Sequence, residues 1–128
     1  MTTAWDDHAY ADVRDNAALV SAYARNMAAL GRPPADPEAS GRRVVGSTDM
    51  GNVSYLMPSI HPMIKIAPDG VPIHTEEFAA CARSGSADAG VLAGATAMAM
   101  TVIDIWEDAS LRQRAREEFG RLEAIDVL

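Results

Sequence analysis

The stretch from Val91 to Trp106 constrains the fold of this 128-residue chain more than any other part of its sequence. Nonpolar residues occupy nearly every helical position there, so the stretch predicts a helix with a wide apolar stripe. A helix of this kind needs partner surfaces on most of its sides, and we therefore expect it to be largely buried. The members of the stripe are Val91, Leu92, Ala95, Met98, Ala99, Val102, Ile103 and Trp106.

A first helix is predicted ahead of a polar connection. Asp15 or Asn16 can cap it, and nonpolar residues then recur at helical spacing. Gly31 is expected to end the helix, because glycine readily adopts the left-handed conformation found beyond many helix C-termini. The segment from Arg32 to Gly41 is rich in proline and polar residues and is interpreted as an exposed connection. The apolar positions of the helix are Leu19, Val20, Tyr23, Met27 and Leu30.

The C-terminal part of the chain predicts three more helix starts. Thr75 is a good N-cap for a short helix whose first turn holds two glutamates, where the helix dipole favours negative charge. Ser86 or Asp88 is expected to cap the long apolar helix, and Asp108 or Ser110 the final one. The final helix places its nonpolar residues on one face: Leu111, Ala115, Phe119 and Leu122.

The middle of the chain alternates short elements with loops. Val53 to Met57 predicts a short helix, Met63 to Ala67 a short strand, and Pro68-Asp69-Gly70 a turn. One strand cannot form a sheet by itself. Either a further strand is hidden, with Arg42 to Val45 as the candidate, or the chain completes a sheet supplied by another polypeptide.

These elements predict a helix-rich α/β fold with an incomplete sheet. We interpret residues 1–41 as an N-terminal helix and linker, and residues 42–128 as the segment that carries function. A chain of 128 residues is long enough for one domain with a hydrophobic core. We therefore expect a single domain overall.

Charge and cysteine content exclude several functions. The formal net charge of −7 argues against a nucleic-acid partner and against an anionic membrane surface. The single cysteine, Cys81, excludes an internal disulfide and a cysteine-rich zinc site, and it fits a reducing cytoplasm. The apolar run from Val91 to Ile103 is too short to span a bilayer, and the first residues do not resemble a signal peptide. We expect a cytoplasmic protein that acts on a small molecule.

Two of the three histidines are candidates for chemistry. His8 lies in a polar terminal stretch and is interpreted as solvated. His61, in Ser59-Ile60-His61-Pro62, fits a structural position and a pocket position equally well. His74 lies between a loop and a capped helix start, so it can present a ring nitrogen to a metal, although a lone histidine is more often structural.

The segment from Gly46 to Asn52 is the second candidate for chemistry. Ser47, Thr48 and Asp49 lie between Gly46 and Gly51, whose lack of side chains lets backbone amides approach a ligand. Such a loop suits a carboxylate or phosphate group. A plain turn with Asp49 as a helix N-cap explains the same residues.

Three linked motifs resemble the C-terminal end of a metallopeptidase family. They are Gly46-Ser-Thr-Asp-Met-Gly-Asn-Val-Ser54, Pro58-Ser-Ile-His-Pro62 and His74-Thr-Glu-Glu-Phe78. Together they are similar to the aminoacylase/glutamate-carboxypeptidase family, in its amidohydrolase branch with the aminobenzoyl-glutamate hydrolase subunits and related dipeptidases. The resemblance extends over Tyr10 to Leu122.

The resemblance implies an α/β/α catalytic domain that binds two metal ions, usually zinc, and hydrolyses an amide bond. His74 matches the family's last metal ligand. Ser47, Thr48 and Asn52 match the segment expected to hold the carboxylate end of the substrate. Asp49 is expected in the pocket wall, and His61 near the substrate.

The departures from the family are as informative as the match. Nothing before residue 46 resembles the half that brings the other metal ligands, and the lid domain is absent. One histidine cannot hold a two-metal site, so no catalytic residue is assigned and the chain is expected to be inactive alone. The expected partners are an amide or dipeptide substrate and a chain that carries the missing half, or a homo-oligomer. The apolar face of Val91 to Trp106 is expected to be exposed where that half should pack.

Two alternatives remain at the level of sequence. The chain could be a non-catalytic module that binds a carboxylate through the Gly46 to Asn52 loop, independently of metal. It could also be a helical interaction domain that assembles through Leu111, Phe119 and Leu122.

Overall fold

The structure, a computed structural model, describes residues 2, 10–35 and 48–126, with residues 122–126 described by their backbone alone. Within these ranges the chain forms five helices: α1 (Ala17–Ala29), α2 (Met50–Ser54), α3 (Glu76–Cys81), α4 (Gly85–Glu107) and α5 (Ala109–Asp126). The three long helices, α1, α4 and α5, pack against one another. The fold is helix-rich, as the sequence predicts.

The predicted sheet is not found in the described ranges. Residues 63–67 form no strand there, and the sole β contact among described residues is an isolated parallel bridge between Asp15 and Ser59. With no neighbouring strand to pair with in these ranges, the segment packs through its isoleucine side chains against α4 instead. The candidate strand 42–45 and the boundary between residues 41 and 42 lie outside the described residues.

Two turns form where the sequence places them. Leu30 caps the C-terminus of α1, and Gly31 follows with a φ of 73°, the left-handed conformation expected there. Gly70 has a φ of 92° in the predicted turn, next to an ion pair of 2.6 Å between Lys65 and Asp69. The short helix in the middle of the chain lies three residues nearer the N-terminus than predicted, since it spans Met50–Ser54 rather than residues 53–57.

Asn16 is the junction at which three parts of the fold meet. Its side-chain oxygen caps α1 by accepting from the amide of Leu19 (3.2 Å), and its side-chain nitrogen donates to the carbonyl of Ala115 in α5 (2.9 Å). Its own amide donates to the carbonyl of Ser59 (2.9 Å). The Asn16 side chain is almost fully buried, at 2% exposed, so each of these bonds is made away from water. The start of α1 is thereby held to α5 and to the loop at Ser59.

The buried side of α4 is the one that carries its small residues. The inward positions are small: Ala87, Gly90, Gly94, Ala97 and Thr101. A Cβ at Gly94 would overlap the side chain of Ile64, and one at Gly90 would lie 2.7 Å from that of Ile66. The expectation of a largely buried helix is therefore wrong for the bulky residues, whereas the expectation that the apolar face of Val91 to Trp106 is exposed is confirmed. The small residues allow the 64–66 segment to approach the helix closely, and the bulky ones face outward.

The core between α1 and α4 combines apolar packing with a few polar side chains that are hydrogen-bonded to one another. Tyr23, Met27 and Ala97 form its buried centre. Beside them, the side-chain nitrogen of Asn26 donates to the hydroxyl of Thr101 (3.0 Å) and to the carboxylate of Asp104 (2.9 Å). Because buried polar groups are costly when unpaired, these bonds fix the register of α1 along α4.

The two C-terminal helices begin at different kinds of cap. Ser84 caps α4, two residues before the earlier of the two predicted positions, by accepting from the amide of Ala87. Asp108 starts α5, as predicted, and accepts from the amides of Ser110 (2.8 Å) and Leu111 (3.1 Å). Several hydrogen bonds hold the pKa of Asp108 below its usual range, that from the Ser110 side chain being the strongest cause.

Helix α4 has 23 residues, which makes it longer than the apolar run from Val91 to Ile103. By length and composition alone it could cross a membrane. Core helices of water-soluble proteins meet the same criteria, so this property does not assign a location.

Replacing Asn16 tests the junction. We expect Asn16→Ala to lower the free energy of unfolding by about 2–4 kcal/mol, because the cap of α1 is lost and the buried carbonyl of Ala115 in α5 loses its donor, whereas the backbone bond to Ser59 is kept. Thr75→Ala removes a cap of the same geometry from the exposed helix α3 and should cost about 0.5–1 kcal/mol. Chemical denaturation of the two variants measures the difference. Equal losses would show that the long-range bonds of Asn16 contribute nothing.

Candidate functional site

The candidate carboxylate-binding residues lie at the start of α2. Thr48 accepts a hydrogen bond from the amide of Met50 (3.3 Å) through its hydroxyl, and its carbonyl accepts from the amide of Gly51 (3.3 Å). Asp49 is in the N-cap position, but its exposed side chain makes no capping hydrogen bond. Capping therefore does not account for Asp49. Ser47 lies outside the described residues.

Helix α2 is held tightly against the extended segment that precedes α1. A Cβ at Gly51 would overlap the backbone carbonyl of Ala11, so only glycine permits this approach. The side-chain oxygen of Asn52 accepts from the amide of Ala11 (3.0 Å). Ser54 accepts from the amide of Arg14 (3.0 Å) and donates to the carbonyl of Gly51 (2.6 Å). Asn52, which the sequence predicts to bind substrate, thus also bonds to the backbone of Ala11 and holds α2 in place. No local sequence pattern predicts this contact.

A cluster of three side chains reinforces this attachment, and no sequence motif predicted it. The phenol of Tyr55 donates to the carboxylate of Asp12 (2.7 Å), and the guanidinium of Arg14 lies 3.6 Å from the centre of the Tyr55 ring. The hydrogen bond from Tyr55 is the main cause that lowers the pKa of Asp12, and the same bond raises the pKa of Tyr55. The three residues stand 43 positions apart at most, and no local spacing pattern links them.

His61 lies in a different place from α2. It lines a groove of about 210 Å³ between α1 and residues 60–63, together with Asp15 and Tyr23. The hydroxyl of Tyr23 is buried and has no hydrogen-bond partner within the described part of the chain, and burial raises the pKa of this phenol. The His61 side chain is exposed at the edge of the groove. This placement is compatible with both interpretations of His61, the structural one and the pocket one.

His74 has the most unusual backbone of the candidate residues. Its φ is 64°, and it is the one non-glycine residue with positive φ among those described. The conformation costs roughly 1–2 kcal/mol for a residue with a Cβ. The next residue, Thr75, fixes this geometry, since its hydroxyl donates to the carbonyl of Pro72 (2.8 Å) and accepts from the amide of Phe78 (3.1 Å). The side chain of His74 is exposed at the start of α3.

The described residues do not assemble a metal site. Within residues 2, 10–35 and 48–121, whose side chains the structure describes, no three histidine, cysteine, aspartate or glutamate side chains lie close enough together to bind one ion. A catalytic zinc ion needs about three protein ligands. The geometry therefore fits His74 as one ligand at most, and no catalytic step through a metal follows from this chain alone.

A second groove, of about 390 Å³, separates α1 from α5. Its lining carries both signs of charge, with Arg25, Arg114 and Arg121 beside Glu117 and Glu118. Glu118 is already engaged, because its carboxylate accepts from the amides of Ala17 (2.7 Å) and Ala18 (3.2 Å) at the N-terminus of α1. The charged residues that line this groove are accounted for by the capping of α1 and by ordinary surface charge.

The chain is similar to enzymes that cleave amide bonds. It is 38% identical over 112 residues to the Xaa-Arg dipeptidase of Mus musculus and 36% identical to that of Homo sapiens; each match covers 88% of this chain and 26% of the relative. It is 30% identical over 80 residues to a p-aminobenzoyl-glutamate hydrolase subunit of Escherichia coli, a match that covers 62% of this chain and 17% of the relative. The chain thus spans about a quarter of the length of the dipeptidases it matches. No family model and no solved structure matches it significantly.

Two glycines give a matched test of the α2 attachment. We expect Gly51→Ala to lower the free energy of unfolding by about 1–3 kcal/mol, because its methyl group would overlap a backbone carbonyl that cannot move aside cheaply. Gly85→Ala introduces the same methyl group into open space at the start of α4 and should be neutral or stabilising. Urea denaturation of both variants makes the comparison. A neutral Gly51→Ala would mean that α2 is not held against Ala11.

The Tyr55–Asp12 hydrogen bond predicts a pH dependence. Because the pKa of Asp12 is lowered in the folded state, its contribution to stability is complete above the pKa of a free aspartate, about 3.9, and is lost as the pH falls through the folded value. Tyr55→Phe keeps the ring that Arg14 covers but removes the hydroxyl. We expect it to raise the pKa of Asp12, measured by NMR titration of the carboxyl carbon.

The same variant has a defined control. The difference in unfolding free energy between the parent chain and Tyr55→Phe should shrink as the pH is lowered, because Asp12 becomes protonated. In chains that carry Asp12→Asn, the effect of Tyr55→Phe on the unfolding free energy should not depend on pH over this range. An Asp12 pKa that is unchanged in Tyr55→Phe would assign its lowering to another neighbour.

Proposed function

The chain belongs to the peptidase family of the Xaa-Arg dipeptidases and p-aminobenzoyl-glutamate hydrolase and corresponds to its C-terminal part, and from this membership we propose that it contributes a portion of the active site of a metal-dependent amide hydrolase. In this proposal the chain supplies His74 and the start of α2. The remaining ligands and the general base come from other parts of the family fold. The chain is therefore inactive by itself.

The observation that supports this proposal most strongly is the backbone of His74. A histidine held at a φ of 64°, immediately before a capped helix, retains a strained conformation that a glycine would adopt freely. Strain of this kind persists where the surrounding structure over-determines a residue, and it is concentrated at functional sites. The backbone of His74 is thus fixed, and its exposed imidazole is accessible to a metal ion. We assign it one coordination position on zinc.

The start of α2 is proposed to bind the carboxylate end of the substrate. Thr48 and Asp49 directly precede this short helix, Asn52 lies within it, and Ser47 precedes Thr48 in the sequence; Asp49, itself a carboxylate, is assigned to the pocket wall. The contacts of Gly51, Asn52 and Ser54 with residues 11–14 hold the helix rigidly. A binding residue on a rigid support loses less conformational entropy when the ligand binds. His61, in its separate groove, is proposed to contact the other end of the substrate.

The proposed substrates are small amides with a free carboxylate. The names of the relatives describe dipeptides that end in arginine and an aminobenzoyl-glutamate, both of which join an acyl group to an amino acid. N-acyl amino acids and dipeptides are therefore the class to test. The α-carboxylate is the group these molecules share, and the hydroxyl of Thr48 at the start of α2 is a side chain that can donate to it.

A non-catalytic function is the alternative, and one of its two forms conflicts with the structure. An interaction domain assembled through Leu111 requires that side chain at the surface, but Leu111 is only 1% exposed and belongs to the interior. The Leu122 side chain lies outside the described residues. The other form is a module that binds a carboxylate without metal. It predicts that ligand binding persists in the absence of metal and in His74→Ala.

A chimera tests the proposal. The segment of the mouse Xaa-Arg dipeptidase that matches this chain would be replaced by the corresponding residues of this chain. We expect the chimera to bind zinc and to hydrolyse dipeptides, and His74→Ala to lower kcat/KM by more than about 100-fold with loss of metal, because a direct ligand matters more than its supporting groups. Ile73→Ala, in the same turn, should retain both properties.

Two further results define the limits of the proposal. The 128-residue chain alone should show neither stoichiometric zinc nor turnover, and His61→Ala in the chimera should raise KM without loss of metal. The proposal fails if the isolated chain hydrolyses dipeptides in a His74-dependent manner. It also fails if a folded chimera retains zinc and full activity in His74→Ala.

A further inference from the structure

The hydroxyl of Thr75 makes two hydrogen bonds, and only one of them belongs to the cap of α3. It accepts from the amide of Phe78 (3.1 Å), which is the cap, and it donates to the carbonyl of Pro72 (2.8 Å), on the other side of His74 in the sequence. The donated bond spans the turn that has residues 73 and 74 at its centre. A helix cap requires only an acceptor, so the donated bond is not needed for α3 itself.

His74 occupies a turn position at which the backbone suits glycine better than histidine. Its φ of 64° is positive, which is uncommon for a residue with a Cβ. Turns with positive φ at the third residue usually place glycine or asparagine there. The imidazole at this position therefore carries a conformational cost, and the bond from Thr75 to Pro72 closes the turn around it.

The direction of the imidazole depends on this backbone. Because φ describes rotation about the N–Cα bond, a return to an ordinary negative value would turn the Cα–Cβ bond of His74 relative to residues 71–73 and re-aim the ring. The ring itself is exposed, and no residue within the described part of the chain hydrogen-bonds to it. The turn is therefore the means by which these residues control where the ring begins.

The start of α4 provides a comparison with a plain cap. Ser84 caps α4 by accepting from the amide of Ala87, and its hydroxyl donates to no partner among the residues whose side chains are described. Aspartate caps helices at least as well as threonine does, but an ionised aspartate cannot donate a hydrogen bond. Aspartate would therefore serve at position 84 as well as serine, whereas at position 75 it would keep the cap and lose the bond to Pro72.

We infer that Thr75 is the positioning residue of His74. By donating to the carbonyl of Pro72, its hydroxyl holds the backbone of His74 in the left-handed conformation and sets the direction from which the imidazole reaches a metal ion. This inference rests on the proposed function, in which His74 is a zinc ligand. Thr75 touches neither the metal nor the substrate in this role, and its capping of α3 is a separate contribution of the same hydroxyl.

Three substitutions separate the donated bond from the cap. Thr75→Ser keeps both bonds, Thr75→Asp keeps the cap and removes the donor, and Thr75→Val removes both. In the isolated chain, the parent and Thr75→Ser should show a strong NOE between the amide and α protons of His74, which is the signature of positive φ. In Thr75→Asp and Thr75→Val this NOE should weaken. The Cα chemical shifts of α3 should stay helical in Thr75→Asp, and Ser84→Asp, the matched control, should change neither signal.

Zinc affinity is the second readout, measured in the chimera with the mouse Xaa-Arg dipeptidase. We expect Thr75→Asp to raise the dissociation constant for zinc by about 10–100-fold, as is typical of groups that orient a metal ligand, and Thr75→Ser to stay within about threefold. A carboxylate added beside a cation would by its charge alone tighten binding, so weaker binding has the lost donor as its cause. Ser84→Asp should leave the constant unchanged.

The outcomes distinguish a failure of this inference from a failure of the proposed function. The inference is overturned if Thr75→Asp keeps the NOE of the parent chain, a result that needs no metal and no chimera. It is also overturned if Thr75→Ser weakens zinc binding as much as Thr75→Asp does. Zinc that is lost in His74→Ala but retained in Thr75→Asp contradicts the positioning role alone. Zinc that is retained in His74→Ala contradicts the proposed function, and the inference with it.

Discussion

The arrangement of the helices depends on Asn16. This one buried side chain caps α1, donates to a carbonyl of α5 that lies 99 positions further along the chain, and neighbours the backbone contact with Ser59. A buried amide side chain that loses its hydrogen-bond partners lowers the stability of the fold. The two bonds of the Asn16 side chain therefore link the cap of α1 to the position of α5. Glu118 strengthens the same junction from the other side by accepting from the first amides of α1. Residues 10–14 lead directly into this junction and hold α2, so the junction also fixes where the start of α2 lies.

Helix α4 shows how a single helix can satisfy two different packing requirements. Its inner side consists of small residues, which allow the side chains of Ile64 and Ile66 to approach the helix axis. Its outer side carries bulky residues that are exposed in the described part of the chain. The same helix is therefore tightly packed on one side and open on the other.

Hydrogen bonds and close backbone contacts hold the segments that carry the candidate site residues. Thr75 closes the turn that contains His74, and the contacts of α2 with residues 11–14 hold the start of that helix against the body of the chain. Preorganised groups lower the entropic cost of binding a metal or a substrate. The positive φ of His74 and the close approach at Gly51 are the two backbone features on which the proposed function rests.

The sequence by itself determined the helices, most of their caps and the family. Asn16, Thr75 and Asp108 cap helices where local spacing predicts them, because a cap needs only a side chain and an amide two or three residues away. Only the tertiary structure decided which side of α4 is buried, since a helix that is apolar on all sides has no periodicity to mark the inner one. It also decided that residues 63–67 pack as an extended segment, and it revealed the Asp12–Arg14–Tyr55 cluster. Both depend on contacts between segments far apart in the chain, and such contacts leave no local pattern in the sequence.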